Sequence, residues 1–165
     1  MNDQNYSCPH CGHAVRVYRR KINSGMALWL VAFYKILRNT AGVTMVIEKK
    51  TIHSRAVLNE MKAGTCSRDA ALLRHWGLIA EEIDGSSKRT GRWRITPEGV
   101  RFVLGYGHAC QYAEIQNNRL LRLSGDAVTV RECLGDKFDL DEMLGRDKEK
   151  QAAAERQINL FAGVN

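Results

Sequence analysis

The sequence predicts an α+β fold, and three observations predict it. The chain has 165 residues, of which 44% are hydrophobic, enough for one real core and for one domain with small additions at its ends. Apolar residues recur at three- and four-residue spacing in the first half, the mark of a helix with a buried face. A later stretch instead alternates apolar with charged residues on either side of a polar turn, the mark of paired strands.

The elements follow in order. Ser24 can cap a helix in which Met26, Trp29, Leu30, Phe33 and Leu37 share one face, with Gly42 closing it. VTMVIEKKTI is rich in β-branched residues and reads as a short strand. Ser54 can cap a second helix, AVLNEMK, that stops at Gly64. Ser67 can cap a third, RDAALLRHW, with Gly77 where a C-terminal cap glycine belongs. LIAEEI and RWRIT then read as strands joined by the turn segment DGSSKRTG. In ITPEGVRFVLG, Thr96 is the N-cap, Pro97 the first helical residue and Gly105 the residue past the end.

Helix, strand, helix, helix, strand, wing, strand, helix is the order of a winged helix-turn-helix, assigned here to residues 22–105. Residues 1–21 form a metal-binding-like segment, akin to a zinc knuckle, with a basic stretch. Residues 106–144 form an extension of a hairpin around Asn117-Asn118 followed by two short helices, begun by Thr129 and Asp139. Residues 145–165 are a polar linker or solvent-exposed helix ending in an apolar tail.

The run LLRHWGLIAEEIDGSSKRTGRWRITPEGVRFVLG resembles small phage and bacterial winged-helix proteins, many of which also begin with a CPxCG motif. The Trp76-Gly77-Leu78-Ile79 junction and Trp93-Arg94-Ile95-Thr96 carry that resemblance. It implies the fold more than a biological role.

Charge is uneven along the chain. Residues 1–105 hold 17 Lys and Arg against 8 Asp and Glu, and residues 106–165 hold 8 against 10, for a net charge of +7. A basic body of this kind fits a polyanion partner, DNA above all, although solubility alone also produces basic proteins. On the third helix, Leu72, Leu73 and Trp76 are expected inward, leaving Arg68, Arg74 and His75 for a major groove. Lys88, Arg89, Arg92 and Arg94 of the wing can reach phosphates or a minor groove, and Arg19, Arg20 and Lys21 extend that surface. The alternative is a solvated face or a protein-binding module.

No catalytic motif is present: no GxSxG, no phosphate-binding glycine loop and no HExxH, so the chain is expected to be non-catalytic. CPHCGH places Cys8 and Cys11, with His13, as candidate zinc ligands, because a CxxCG turn aims two thiolates at one ion. A closed site needs four ligands, and His10, or a distant pair of His108 and Cys110, are candidates for the rest. Cys66 and Cys133 read as buried thiols. Five cysteines at irregular spacing, no secretory signal and no apolar run of membrane-spanning length point to the cytoplasm and to no membrane association.

The tail carries a second resemblance. Gln157-Ile158-Asn159-Leu160-Phe161 is similar to the QLxLF motif with which bacterial proteins dock on the β sliding clamp; Gln157, Leu160 and Phe161 match and Ile158 replaces Leu. The resemblance implies a DNA-binding protein tied to replication, in a phage or mobile-element setting. Two alternatives share the fold: an inhibitor acting on the clamp or another host protein, and a transcriptional regulator whose tail matches by chance.

Overall fold

The computed structural model describes residues 5–7, 9–12, 14–41, 50–61, 69–83 and 89–146. Its chain is mixed α and β, with five α-helices, a 3-10 helix and three small antiparallel sheets among the described residues.

The centre is α1 (Ser24–Ala41). Its predicted face, Met26, Trp29, Leu30, Phe33 and Leu37, is buried, and so are Ala27, Leu28, Val31, Ala32 and Tyr34 between those positions. A helix apolar all round must be covered all round. Helices α2 (Ser54–Glu60), α3 (Pro97–Val103), α4 (Val130–Leu134) and α5 (Leu140–Leu144) pack on it, together with the 3-10 helix Ala70–Trp76. Trp29 and Phe33 hold their ring centroids 5.0 Å apart within the resulting core. No described helix is long and apolar enough to cross a membrane.

Strands β1 (Asn5–Ser7) and β2 (Ala14–Arg16) pair with each other. Strand β3 (Tyr18–Lys21) leaves them and pairs with β7 (Ala109–Gln116), which pairs with β8 (Arg119–Val128). The third sheet has the order β4-β6-β5, from β4 (Ile52–His53), β5 (Ile79–Ile83) and β6 (Arg89–Ile95). Its middle strand alternates: Trp93 and Ile95 are buried in the core, while Arg92 and Arg94 are exposed. The hairpin turn is at Asn117 and Asn118, both at positive φ (47° and 64°), which asparagine tolerates better than most residues.

Several caps form as the sequence predicts. Thr96 Oγ1 accepts from Gly99 N at 3.0 Å and donates to Gly77 O at 2.6 Å, so one hydroxyl starts α3 and ties it to the end of the 3-10 helix. Thr129 and Glu132 form a reciprocal capping box at α4, and Asp139 caps α5. Arg146 then anchors the end of α5, donating to Leu104 O at 2.9 Å and pairing with Asp141 at 3.1 Å.

Other details depart from expectation. The first cap is Asn23, whose Oδ1 accepts from Met26 N, rather than Ser24, and the second is His53, whose Nδ1 accepts from Arg55 N, rather than Ser54. Both helices therefore begin one residue early, at the serine itself. Of the strand expected in VTMVIEKKTI, Ile52 lies in a strand, which runs on to His53, and residues 42–49 lie outside the described residues. The described part of the third helix is 3-10 rather than α; Ser67 lies outside the described residues, as does the turn at 84–88.

Candidate nucleic-acid interface

The 3-10 pitch changes which side chains face out. At three residues per turn, Ala70, Leu73 and Trp76 fall in one row, and all three are buried. His75 is turned inward beside them and is 8% exposed, which corrects its expected place on a groove-facing surface. Among the described residues its Nε2 has no hydrogen-bond partner. Burial, and secondarily the adjacent Arg74 charge, pushes its pKa below the ordinary histidine value, which favours the neutral ring. Trp76 is fixed by its indole N–H, which donates to Cys110 O at 2.6 Å.

Arg74 stays at the surface but is held. One terminal nitrogen donates to Ala71 O at 3.2 Å and the other to the Asn118 side chain, linking the 3-10 helix to the tip of the β7-β8 hairpin. Beneath that link runs an open groove of about 380 Å³, walled by Tyr18 and Arg20 of β3, by Asp69, Leu72 and Arg74 of the helical segment, and by Ile115 and Asn118 of the hairpin. The Arg20 guanidinium lies 5.6 Å from the centroid of the Tyr18 ring.

Arg19 points to the other face of the same sheet, 3.8 Å over the Tyr112 ring. That ring lies against Gly125, where a Cβ would come within 2.7 Å of it and where φ is +82°. Glu114 on this face is bonded by Arg122 at 2.7 Å and by Ser124, and these donors hold its carboxyl below the usual range. Lys21 is exposed at the end of the strand.

On the sheet β4-β6-β5, Arg92 pairs with Glu82 at 3.0 Å and donates to Thr51 Oγ1 and Thr51 O. Arg94, two residues on, is exposed and makes no ion pair among the described residues. Arg89 begins β6. Arg68 and Lys88 lie outside the described residues, as does the tail with Gln157, Ile158, Leu160 and Phe161.

For a metal, Cys8 and His13 lie outside the described residues. Cys11 and His10 are exposed, His108 is exposed just before β7, and Cys110 is the second residue of that strand. Among the described residues, no three His, Cys, Asp or Glu side chains form a group able to hold an ion. Ser7 pairs with Ala14, and of the described residues between them Gly12 sits at φ +68°. Cys133 is a half-buried thiol whose pKa is pushed up to about 11, chiefly by burial, which makes it a poor ligand and a poor nucleophile.

The sequence reading anticipated the cations of β3 but not their partners. Tyr18, Tyr112 and Asn118 were missed as site residues, although the interleaving of aromatic and basic residues in VYRRK was the available signal. No protein-family model, curated protein or solved structure matches this chain.

Proposed function

We propose that the chain is a non-catalytic, DNA-binding winged helix-turn-helix protein of the cytoplasm, tied to replication by its tail in a phage or mobile-element setting. The observation that carries this reading is the connection order around one sheet. A helix, a short strand, a helix and the 3-10 helix precede two long strands, and the first strand pairs with the last in the order β4-β6-β5. In such a fold the helix that ends at Trp76 turns its solvent-facing side to a major groove and the β5-β6 connection forms the wing. Arg94, exposed on β6 and without an ion-pair partner among the described residues, supports phosphate contact there, and the net charge of +7 supports a polyanion partner.

Duplex binding measured against salt tests the reading. Affinity falls steeply as salt rises, and Arg94→Ala flattens the log-log slope by about one unit, the signature of one lost phosphate contact. Folded protein that binds no duplex at low salt overturns it.

Two further parts of the proposal rest on the sequence. The tail residues Gln157, Ile158, Leu160 and Phe161 dock on the bacterial β sliding clamp, with the two large apolar side chains as anchors. Leu160→Ala and Phe161→Ala each weaken clamp binding by about 2 kcal/mol and barely move the melting temperature. Zinc is held by Cys8, Cys11 and His13, which fall in the sequence between β1 and β2, with a fourth ligand from elsewhere, where it would supply a structural tie. Elemental analysis of chelator-free protein then finds about one zinc per chain, and Cys8→Ser releases it.

A further inference from the structure

We infer that the groove between the 3-10 helix and the strands β3 and β7 binds an unpaired polynucleotide strand, with Tyr18 as a stacking platform and Arg20 and Arg74 as phosphate contacts. The inference rests on the nucleic-acid reading above and names a second, separate ligand geometry for it. A duplex hides its base faces, so an aromatic ring exposed beside cations is useful chiefly to a strand whose bases are free.

The groove has the needed parts. Tyr18 is 42% exposed despite lying in a paired strand, and an exposed tyrosine ring there does nothing for the core. Tyr18 and Arg20 are two apart on β3, opposite Ile115 and Ala113, so both project to the face that meets the 3-10 helix. Arg74 closes the far wall, and among the described residues its bonds to Ala71 and Asn118 use two of five N–H donors. Those bonds fix the guanidinium in place, which lowers the ordering cost of holding a phosphate. Leu72 and Ile115 give the floor an apolar surface for a base edge.

Charge on the two faces of this sheet separates the groove from its surroundings. On the opposite face Arg19 is stacked on Tyr112, and Glu114 is matched by Arg122. On the groove face two arginines stand against one carboxylate, Asp69, at the exposed rim. The volume of about 380 Å³ is at the small end of ligand sites, so the groove takes one or two nucleotides at a time, with the strand running out past both ends.

The test uses the full chain and three labelled probes at fixed low salt: an oligothymidylate, an oligouridylate and a mixed-sequence duplex. Tyr18→Ala weakens binding of a single-stranded probe roughly tenfold, Tyr18→Phe retains it within about twofold, and neither changes duplex affinity. Arg20→Ala weakens the same probe and flattens its salt slope, while Arg94→Ala affects only the duplex. The two single-stranded arms show whether the strand is DNA, RNA or either. Equal single-strand affinity in Tyr18→Ala and the unaltered protein overturns the groove while leaving duplex binding standing. Wild-type protein that binds the duplex but neither single strand does the same. Tyr18-dependent strand binding in the absence of duplex binding supports the groove and removes the winged-helix reading instead.

Discussion

The two three-stranded sheets use the same backbone pairing for opposite purposes. In β4-β6-β5, one face belongs to the core: Trp93 and Ile95 are buried, and α3 presses so close that a Cβ on Gly99 would meet Leu78 O at 2.1 Å. In β3-β7-β8, only β7 is deeply covered, with Ala109, Ala113 and Ile115 buried. Both flanking strands stay exposed, and β8 shows Leu120, Leu121 and Leu123 at its surface. The first sheet is a wall of the domain, while the second is a platform attached to it. The arginines of β3 follow suit, lying over tyrosines, whereas Arg92 is tied into its own sheet by Glu82 and Thr51.

The largest expected difference between the sheets is in stability. Trp93→Ala removes a buried indole from the wall and costs about 3–5 kcal/mol, read as a large fall in denaturant midpoint with unchanged slope. A loss below about 1 kcal/mol would mean that this sheet, too, is only attached to the core.

A pH titration of stability sharpens the picture where wall and platform meet, at the 3-10 helix. Burial lowers the pKa of His75 in the folded chain, so around and below its ordinary value of 6.5 the unfolded chain binds more proton at this residue than the folded chain does. Stability is therefore full above pH 6.5 and falls as the pH drops through and below it. His75→Leu removes that dependence between about pH 7 and 5. Glu114, Glu132 and Asp141 act in a separate, more acid window. Their hydrogen-bonded carboxyls have lowered pKa values, so their contribution holds above about pH 4.5 and is lost below it. A variant with unaltered acid sensitivity between pH 7 and 5 would place His75 outside the core.

Thr129→Ala tests the link from the platform to the helices that follow it. The threonine joins β8 to α4 and makes both halves of a capping box with Glu132, with bonds of 2.6 and 3.3 Å to the two backbone N–H groups. Losing a cap hydroxyl costs about 1 kcal/mol, visible as a drop in melting temperature of a few degrees, about 2–4 °C for a chain of this size. No change would mean that α4 is held by Val130 and Leu134 in the core rather than by its cap.

Local signals were legible in the sequence, and pairings between distant segments were not. Thr96, Thr129, Asp139, Gly77 and the Asn117-Asn118 turn each act through neighbours within a few residues, so composition and spacing reveal them. The partnership of β3 with β7 joins segments about ninety residues apart, and β3 gives no alternating pattern because all four of its residues are exposed. The inward turn of His75 was hidden for a different reason. A seven-residue helix reads equally well at 3.6 or 3.0 residues per turn, and at the tighter pitch His75 falls in a second row with the half-buried Leu72, beside the buried row of Ala70, Leu73 and Trp76. At the site, the cations Arg20 and Arg74 were visible as charges, but the groove that joins them exists only once the hairpin tip reaches the 3-10 helix.

The smallest expected effect is the most direct check on the platform itself. Between the pairs Glu114–Arg122 and Ile115–Leu120 the register of β7 and β8 slips, which leaves Leu121 as the extra residue of a bulge, 50% exposed. A leucine at such a position neither fills the core nor completes a cross-strand pair. Leu121→Lys should therefore change stability by no more than about 0.5 kcal/mol, within the range of ordinary surface substitutions. The added cation lies on β8, outside the residues that line the groove, so single-strand affinity should rise only slightly and only at low salt. Denaturant unfolding and an anisotropy titration on the same variant give both readings. A loss of several kcal/mol would mean that Leu121 packs against a further part of the protein, and the second sheet would then be a second wall rather than a platform.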